Sequence, residues 1–378
     1  LLQKLGYFGT FFGKYGLTLR KIAVIMSSNA NKNIIYSIVL LLLVAIVYFY
    51  RQSTSTTPQE NIQTERSKVV FSGKTMGTSY RVVYLDESGR DFQSSIDSLL
   101  LVFNQSLSTY IPDSEISRFN QGDSLVYESP FFYPVLKSSK EIFELTEGAF
   151  DPTVGPLVNL WGFGPGGPQL KDSVNIDQLV KLISFKNIVF DETSVKKLLP
   201  GIKLDFSANA KGYGVDVIAD FLHSKGIENY LVEIGGELVA KGVNEKGEIW
   251  KVGVSRPEEQ GSADQLYSII ALDNRAMATS GNYRNYYEVD GLKVSHTIDP
   301  ATGRPVRHGL LSATVVAGDC MTADALATAL MVMGTEKAIQ LQQKQGNFEI
   351  FLIYNDGEGN MKSYASEGIK PYLSFPVE

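Results

Sequence analysis

YLVEIGGELVAKG, residues 230–242, is the stretch whose reading decides the fold. Apolar and β-branched residues crowd both sides of a Gly pair, Gly235 and Gly236, which predicts strands at 230–235 and 237–241. A Gly pair at a strand break reads as a bulge, a turn or a close approach of a ligand to the backbone. Upstream, 208–225 has helical spacing and is stopped by Gly226. Downstream, further strands are expected at 250–254, 267–272, 286–289 and 311–317, then helices at 322–333 and 335–345 and a last strand in FEIFLIY (348–354). Strands neighbour one another directly and outnumber the helices. That pattern predicts an α+β fold, not an alternating βαβ array.

The N-terminal half of the body agrees. KVVFSG and SYRVVYL read as paired strands. Phe92, Ile96, Leu99, Leu100, Phe103 and Leu107 recur at helical spacing, with Asp91 placed to cap them. A second helix is expected over 132–147, ending at Gly148. WGFGPGGP (161–168) is a loop, and NIDQLVKLI a short helix after it. No repeat at a solenoid period is visible.

The chain has 378 residues, 44% of them hydrophobic and 20% charged, with a net charge of −6. That balance supports a sizeable core. With no basic cluster in the body, nucleic acid is excluded as the main partner. The lone cysteine, Cys320, rules out an internal disulfide and a Cys-based zinc site.

IIYSIVLLLLVAIVYFY (34–50) carries no charge and sits at the lower limit of a bilayer span. Tyr48, Phe49 and Tyr50 would form an interfacial belt. Arg20, Lys21 and Lys32 precede the run, favouring an N-in orientation. No A-x-A-like site follows, so an uncleaved anchor is expected in preference to a secretory signal. The resulting organisation is a cytoplasmic segment (1–33), a transmembrane anchor (34–50), a linker (51–66) and one catalytic domain (67–378). Met26 begins a conventional leader, so residues 1–25 are expected to be an upstream extension of the reading frame.

Several segments could carry chemistry. In TADALATAL (322–330), Asp324 and Thr328 lie four apart, which puts two oxygens on one helix face. A hard cation such as Mg²⁺ uses such oxygens together with substrate phosphates. Taken alone, the pair reads as well as a dipole-complementing acid and a packed Thr. In LDFSANAKGYGVD (204–216), a strand ends at Asp205 and a helix begins near Lys211, where free N–H groups and a point charge could meet phosphate. A plain strand-to-helix turn is the alternative, since no Walker A loop is present. GAFDPTVGPLVNLWGFG (148–164) places Asp151 in a loop rich in Gly, Pro and aromatics, either a pocket wall or a structural loop over Trp161. In 278–306, Thr279, Ser280 and Gly281 read as a small polar turn, and His296 lies near Asp299. His296 could be a general base or a hydrogen-bonded turn residue. No GxSxG elbow, HExxH helix or Cys/His set is found, against a hydrolase triad or a zinc enzyme.

Taken in order, GKTMGTSYRV (73–82), YIPDSEISRFN (110–120), 148–164, 204–216, 230–242, ATSGNYRNYY (278–287), SHTIDPATGRPV (295–306) and TADALATAL resemble the ApbE family, the FAD:protein FMN transferases. The resemblance implies one α+β catalytic domain that transfers FMN from FAD to a Thr or Ser hydroxyl of a partner protein, with Mg²⁺, releasing AMP. It implies cation ligands at Asp324, Thr328 and the Ala210 carbonyl. It implies a flavin site of Met76, Tyr110, Ala149, Phe150, Asp151, Lys211, Gly235, Gly236, Thr279 and Ser280. His296 and Asp324 would be catalytic. The acceptor would be a subunit of a membrane electron-transfer complex, with the domain on the extracytoplasmic side of a bacterial inner membrane. An FAD pyrophosphatase and a non-catalytic FAD-binding module are the competing functions. Two positions depart from the family pattern: Glu237 follows the Gly pair, where Asn or Asp is usual, and Asn209 stands where an apolar residue is common.

Overall fold

The computed structural model describes residues 29–54, 67–164, 176–257, 265–282, 286–289 and 292–376. The chain forms two compact units, Leu1–Glu65 and Arg66–Glu378. In the first, α1 (Asn29–Thr54) contains the uncharged run 34–50. Among the described residues, however, no helix is long and apolar enough to cross a membrane. The uncharged run 34–50 lies at the lower limit of the length a bilayer span needs. The anchor expected at 34–50 is therefore not supported by the structure. The expected start at Met26 and the linker over 55–66 lie outside the described residues.

The second unit is built on an antiparallel sheet of eight strands: β1 (Ser67–Thr75), β2 (Thr78–Asp86), β6 (Tyr230–Ile234), β7 (Glu237–Lys241), β10 (Arg275–Gly281), β15 (Leu310–Ala317), β16 (Glu349–Asn355) and β17 (Met361–Ala365), in that spatial order. The strands between them in the chain form small sheets. These are β3 (Ser124–Val126), β4 (Ile188–Phe190) and β5 (Ser194–Lys197); β8 (Trp250–Ser255), β9 (Leu266–Leu272) and β18 (Leu373–Ser374); β11 (Tyr286–Val289) with β12 (Leu292–Ser295); and β13 (Ile298–Asp299) with β14 (Arg304–Pro305).

Two tight turns set the register near the site. Thr75 pairs with Thr78 around Met76 (φ 50°) and Gly77 (φ 73°). Ile234 pairs with Glu237 around Gly235 (φ 63°) and Gly236 (φ 107°). Positive φ at both central residues is what two-residue hairpins demand. The Gly pair is thus a hairpin turn, and it makes Glu237 the first residue of β7.

The longer helices follow the predicted spacing, and two short ones, at 115–121 and 155–160, were not expected. The helices are α2 (Gln93–Leu107), α3 (Glu115–Gln121), α4 (Phe132–Leu145), α5 (Gly155–Leu160), α6 (Ile176–Val180), α7 (Ala210–Ser224), α8 (Cys320–Met333) and α9 (Thr335–Gln345). α7 buries Val215, Ile218 and Leu222 against Val82, Val232 and Ile234, and α8 buries Ala323, Leu326 and Leu330 against Ala313 and Val315. The opposite face of the sheet is covered by β8 and β9 through Trp250, Val254, Ile270 and Leu272, which meet Leu238, Met277 and Phe351. The result is helices, central sheet and small sheet in three layers, an α+β architecture as expected.

Three local expectations are corrected. Thr279, Ser280 and Gly281 are not a turn: they end β10, where they pair with Thr314, Ala313 and Ser312 of β15. Small polar residues mimic a turn in the sequence, and pairing with β15 overrides that preference. The segment 148–164 is not loop throughout, because α5 begins in it with Pro156 in the first turn, a position where proline's missing N–H costs nothing. Helix α2 starts at Gln93 with Phe92 at its N-cap, while Asp91 accepts the Gln93 N–H at 2.8 Å.

Candidate functional site at the junction of two helix N-termini

Helices α7 and α8 meet at their first turns because Gly212 has no side chain. A Cβ there would lie 2.2 Å from the Cys320 carbonyl oxygen and 2.8 Å from Asp324 Cβ. The close approach lets each helix place a carboxylate on the other's free N–H groups. Asp324 Oδ2 accepts the Gly212 N–H at 3.0 Å. Asp216, on α7, accepts the Cys320 and Met321 N–H groups at 2.8 Å each. Asp319 caps α8 from within by accepting the Thr322 N–H. Carboxylates at helix N-termini satisfy orphan donors and complement the helix dipole.

The electrostatics of this junction are unusual. Lys211 Nζ lies 3.4 Å from Glu237 Oε1 and 3.7 Å from Asp324 Oδ2, so one ammonium serves two buried carboxylates. Burial alone would lower Lys211, but Asp324 and then Glu237 outweigh it and hold it above its usual range. Burial raises Asp324, opposed by Lys211 and the Gly212 N–H. Burial likewise raises Glu237, opposed by Lys211. Asp216 is pushed up to about 7 by burial, against the pull of its two N–H donors. Cys320 is fully buried and its thiol is raised by that burial, so it is no nucleophile.

Thr328 stands one turn beyond Asp324 on α8 and its hydroxyl meets Ser280 Oγ at 3.4 Å. Alternation along β10 sends Thr279 to the other face, where its hydroxyl pairs with Thr314 at 2.9 Å. Asp324, Thr328, Ser280, Lys211 and Ala210 are thus gathered at one junction, and Thr279 is turned away from it. Glu237 joins them from the hairpin below. Among the described residues, no group of three or more His, Cys, Asp or Glu forms a metal cluster. The donor set present is still of hard-cation type. It offers one carboxylate, one hydroxyl and a helix-start carbonyl, inside a cluster with one formal negative charge in excess (Asp324 and Glu237 against Lys211). These residues fit a Mg²⁺ that completes its shell with water and phosphate oxygens.

A second group forms an aromatic corner. Tyr110 is 68% exposed, so its ring face is open to a flat ligand, and its hydroxyl donates to the Phe163 carbonyl at 3.3 Å. The Phe163 and His296 rings meet edge to face at 6.2 Å. Trp161 Nε1 donates to the Gly303 carbonyl at 2.8 Å, fastening the 148–164 segment to the turn after His296. Asp299 accepts the Ala301 N–H and the Thr302 hydroxyl, so its carboxylate is engaged in its own turn. Thr109, Asn120, Asn159, Lys203 and Asp205 line a cleft of about 200 Å³ that adjoins this corner in sequence and does not include Asp324.

The remaining candidates hold the structure around these two groups. Asp151 is buried and accepts from the Thr153 N–H and hydroxyl and from the Phe185 N–H. Phe150 is buried in the core beside α8, and the Ala149 and Phe150 N–H groups are taken by Thr146. Met76 packs against Gly214, where a Cβ would stand 2.8 Å from Met76 Cε. Asn209 donates to Ser139 Oγ at 3.0 Å, toward α4. Asp216 escaped the sequence reading, although its position near the start of a helix that follows a small-residue loop is visible there.

Comparison with known proteins shows the family. The model of the ApbE family matches residues 76–352. A FAD:protein FMN transferase of Vibrio cholerae is 43% identical over 81% of this chain and 93% of its own length. One of Escherichia coli K12 is 36% identical over 88% of this chain and 96% of its own. Among solved structures, the flavin transferase ApbE from Vibrio cholerae superposes with a TM-score of 0.73 at 41% identity, covering 81% of this chain and 99% of that one. The apo flavinyl transferase ApbE of Pseudomonas stutzeri does so with a TM-score of 0.73 at 31% identity, covering 82% and 98%. The chain belongs to the ApbE family.

Proposed function

We propose that this chain transfers FMN from FAD to a Thr or Ser hydroxyl of a partner protein and releases AMP. The observation that carries the reading is the helix junction, where Asp324, Thr328 and the start of α7 converge beside the half-buried Lys211. Relatives with whole-length similarity are named for this reaction. The Asp324 carboxylate, the Thr328 hydroxyl and the Ala210 carbonyl would hold Mg²⁺, which supplies charge neutralisation at the FAD pyrophosphate. The chain's own residues do the rest. Tyr110 offers its ring to FAD, and Ser280 orients the Thr328 hydroxyl. His296 takes the proton as the acceptor oxygen bonds to the FMN phosphorus and the pyrophosphate P–O bond breaks, with AMP leaving.

Membrane attachment through 34–50, with the domain on the extracytoplasmic side, belongs to the same reading and rests on the uncharged run and the basic residues before it. It would hold the enzyme close to a membrane electron-transfer subunit as acceptor. Membrane fractionation with protease protection of the intact chain checks this.

The test of function is intact-protein mass spectrometry of an acceptor domain after incubation with the chain, FAD and Mg²⁺. A mass gain of one esterified FMN is expected, abolished by Asp324→Ala and reduced by His296→Ala. AMP release without any gain would mean a pyrophosphatase. Bound FAD with neither product would mean a binding module. Full transfer by His296→Ala would remove the proton role from His296.

A further inference from the structure

Glu237 has no obvious structural need to be acidic. It opens β7 after the Gly pair, is 5% exposed, and projects into the junction of α7 and α8. One oxygen lies 3.4 Å from Lys211 Nζ, while the other, Oε2, is buried without a hydrogen-bond partner. A buried unpaired carboxylate oxygen is costly, so its retention calls for a compensating role.

Charge balance indicates that role. Asp324 and Lys211 alone sum to zero, and a divalent cation on Asp324 would face an ammonium 3.7 Å from the same carboxylate. Repulsion between like charges at such range in a partly desolvated site is strong. An ionised Glu237 adds one negative charge to the cluster and gives the ammonium an anchor besides Asp324 and the Ser207 carbonyl.

We propose that Glu237 is a positioning residue that holds and neutralises Lys211, and thereby sets how tightly Asp324 binds a divalent cation, without touching that cation itself. This rests on the cation reading of Asp324 given under the proposed function. The net charge of the three side chains then governs affinity. It is −1 in the wild type, zero in Glu237→Gln, −1 again in the Lys211→Met/Glu237→Gln double variant, and −2 in Lys211→Met.

The experiment is Mn²⁺ binding to the full chain in detergent, without FAD, read from the electron paramagnetic resonance signal of free Mn²⁺. Glu237→Gln should weaken binding by about ten- to a hundredfold, as expected for one charge at this range. The double variant should return to the wild-type affinity, and Lys211→Met should bind at least as tightly as wild type. Unchanged binding in Glu237→Gln overturns the proposal. So does a double variant that stays weak, which would make Glu237 a direct ligand. If Glu237→Gln does not fold, weakened binding in Lys211→Met overturns it instead. Wild-type binding that Asp324→Ala leaves intact, or no binding at all, removes the cation reading itself and the proposal with it. Loss in Asp324→Ala with no loss in Glu237→Gln removes only the role of Glu237.

Discussion

The helix junction and the aromatic corner are built on opposite principles. At the junction, carboxylates of α7 and α8 are tied to backbone N–H groups at 2.8–3.0 Å, and glycine brings the two backbones together. At the corner, Tyr110 and Trp161 donate to backbone carbonyls and Phe163 meets His296 edge to face, with Tyr110 open to solvent. The junction is a fixed arrangement of charge, where a displacement of an ångström matters. The corner is a surface that accepts a flat ligand. Holding charge requires burial and fixed partners, whereas admitting a ligand requires exposure, so one segment of chain does not serve both.

The sharpest way to break this contrast is Gly212→Ala. The added methyl meets a carbonyl oxygen at 2.2 Å, so α7 and α8 must separate. Overpacking of this kind costs about 1–3 kcal/mol, and transfer should fall by about a hundredfold or more as Asp324 leaves its place. Thermal melting and the transfer assay on one preparation check both effects. A variant with wild-type stability and activity would show that the junction is adaptable after all.

Asp216 probes the same region without touching the proposed cation ligands. Asp216→Ala leaves the Cys320 and Met321 N–H groups without their acceptor and should cost about 2 kcal/mol. Its titration has a definite sign. The folded state holds the Asp216 proton up to about 7, above the unfolded value of about 3.9. The associated stability is present below pH 4 and is lost as pH rises from about 4 through 7. Denaturant unfolding of wild type and Asp216→Asn across that range should give a shallower fall in the variant. Parallel curves would place the titration elsewhere.

The smallest effect is expected at the corner. Trp161→Phe removes one hydrogen bond to Gly303 and should cost about 1 kcal/mol. It should weaken FAD binding by only about threefold, read by flavin fluorescence titration, since each contact there is one of several. A loss as large as that of Gly212→Ala would mean that the corner is as rigid as the junction.

The legibility of the two regions also differs. Strands 230–235 and 237–241 were readable because β-branched residues flank a Gly pair, and the structure changes their bounds by a single residue. The Asp324/Thr328 spacing was readable because helical period puts both on one face. β10 was not readable: MATSG carries turn-forming residues, and only its pairing with β15 makes it a strand. The short helix α3 was missed too, although Ser114 accepting the Ser117 N–H is a capping arrangement visible as SEIS.

The sequence by itself determined the α+β class, the family, the helix that bears Asp324 and Thr328, and the strand break at the Gly pair. These depend on local period and turn chemistry, which act over a few residues. Only the tertiary structure decided that Lys211 lies between Glu237 and Asp324, that Asp216 caps a helix 104 residues away, and that Asp151 ties its loop to the Phe185 N–H. Partners at such separations are set by how helices and strands pack, and packing depends on which side chain is missing, here that of Gly212, as much as on those that are present.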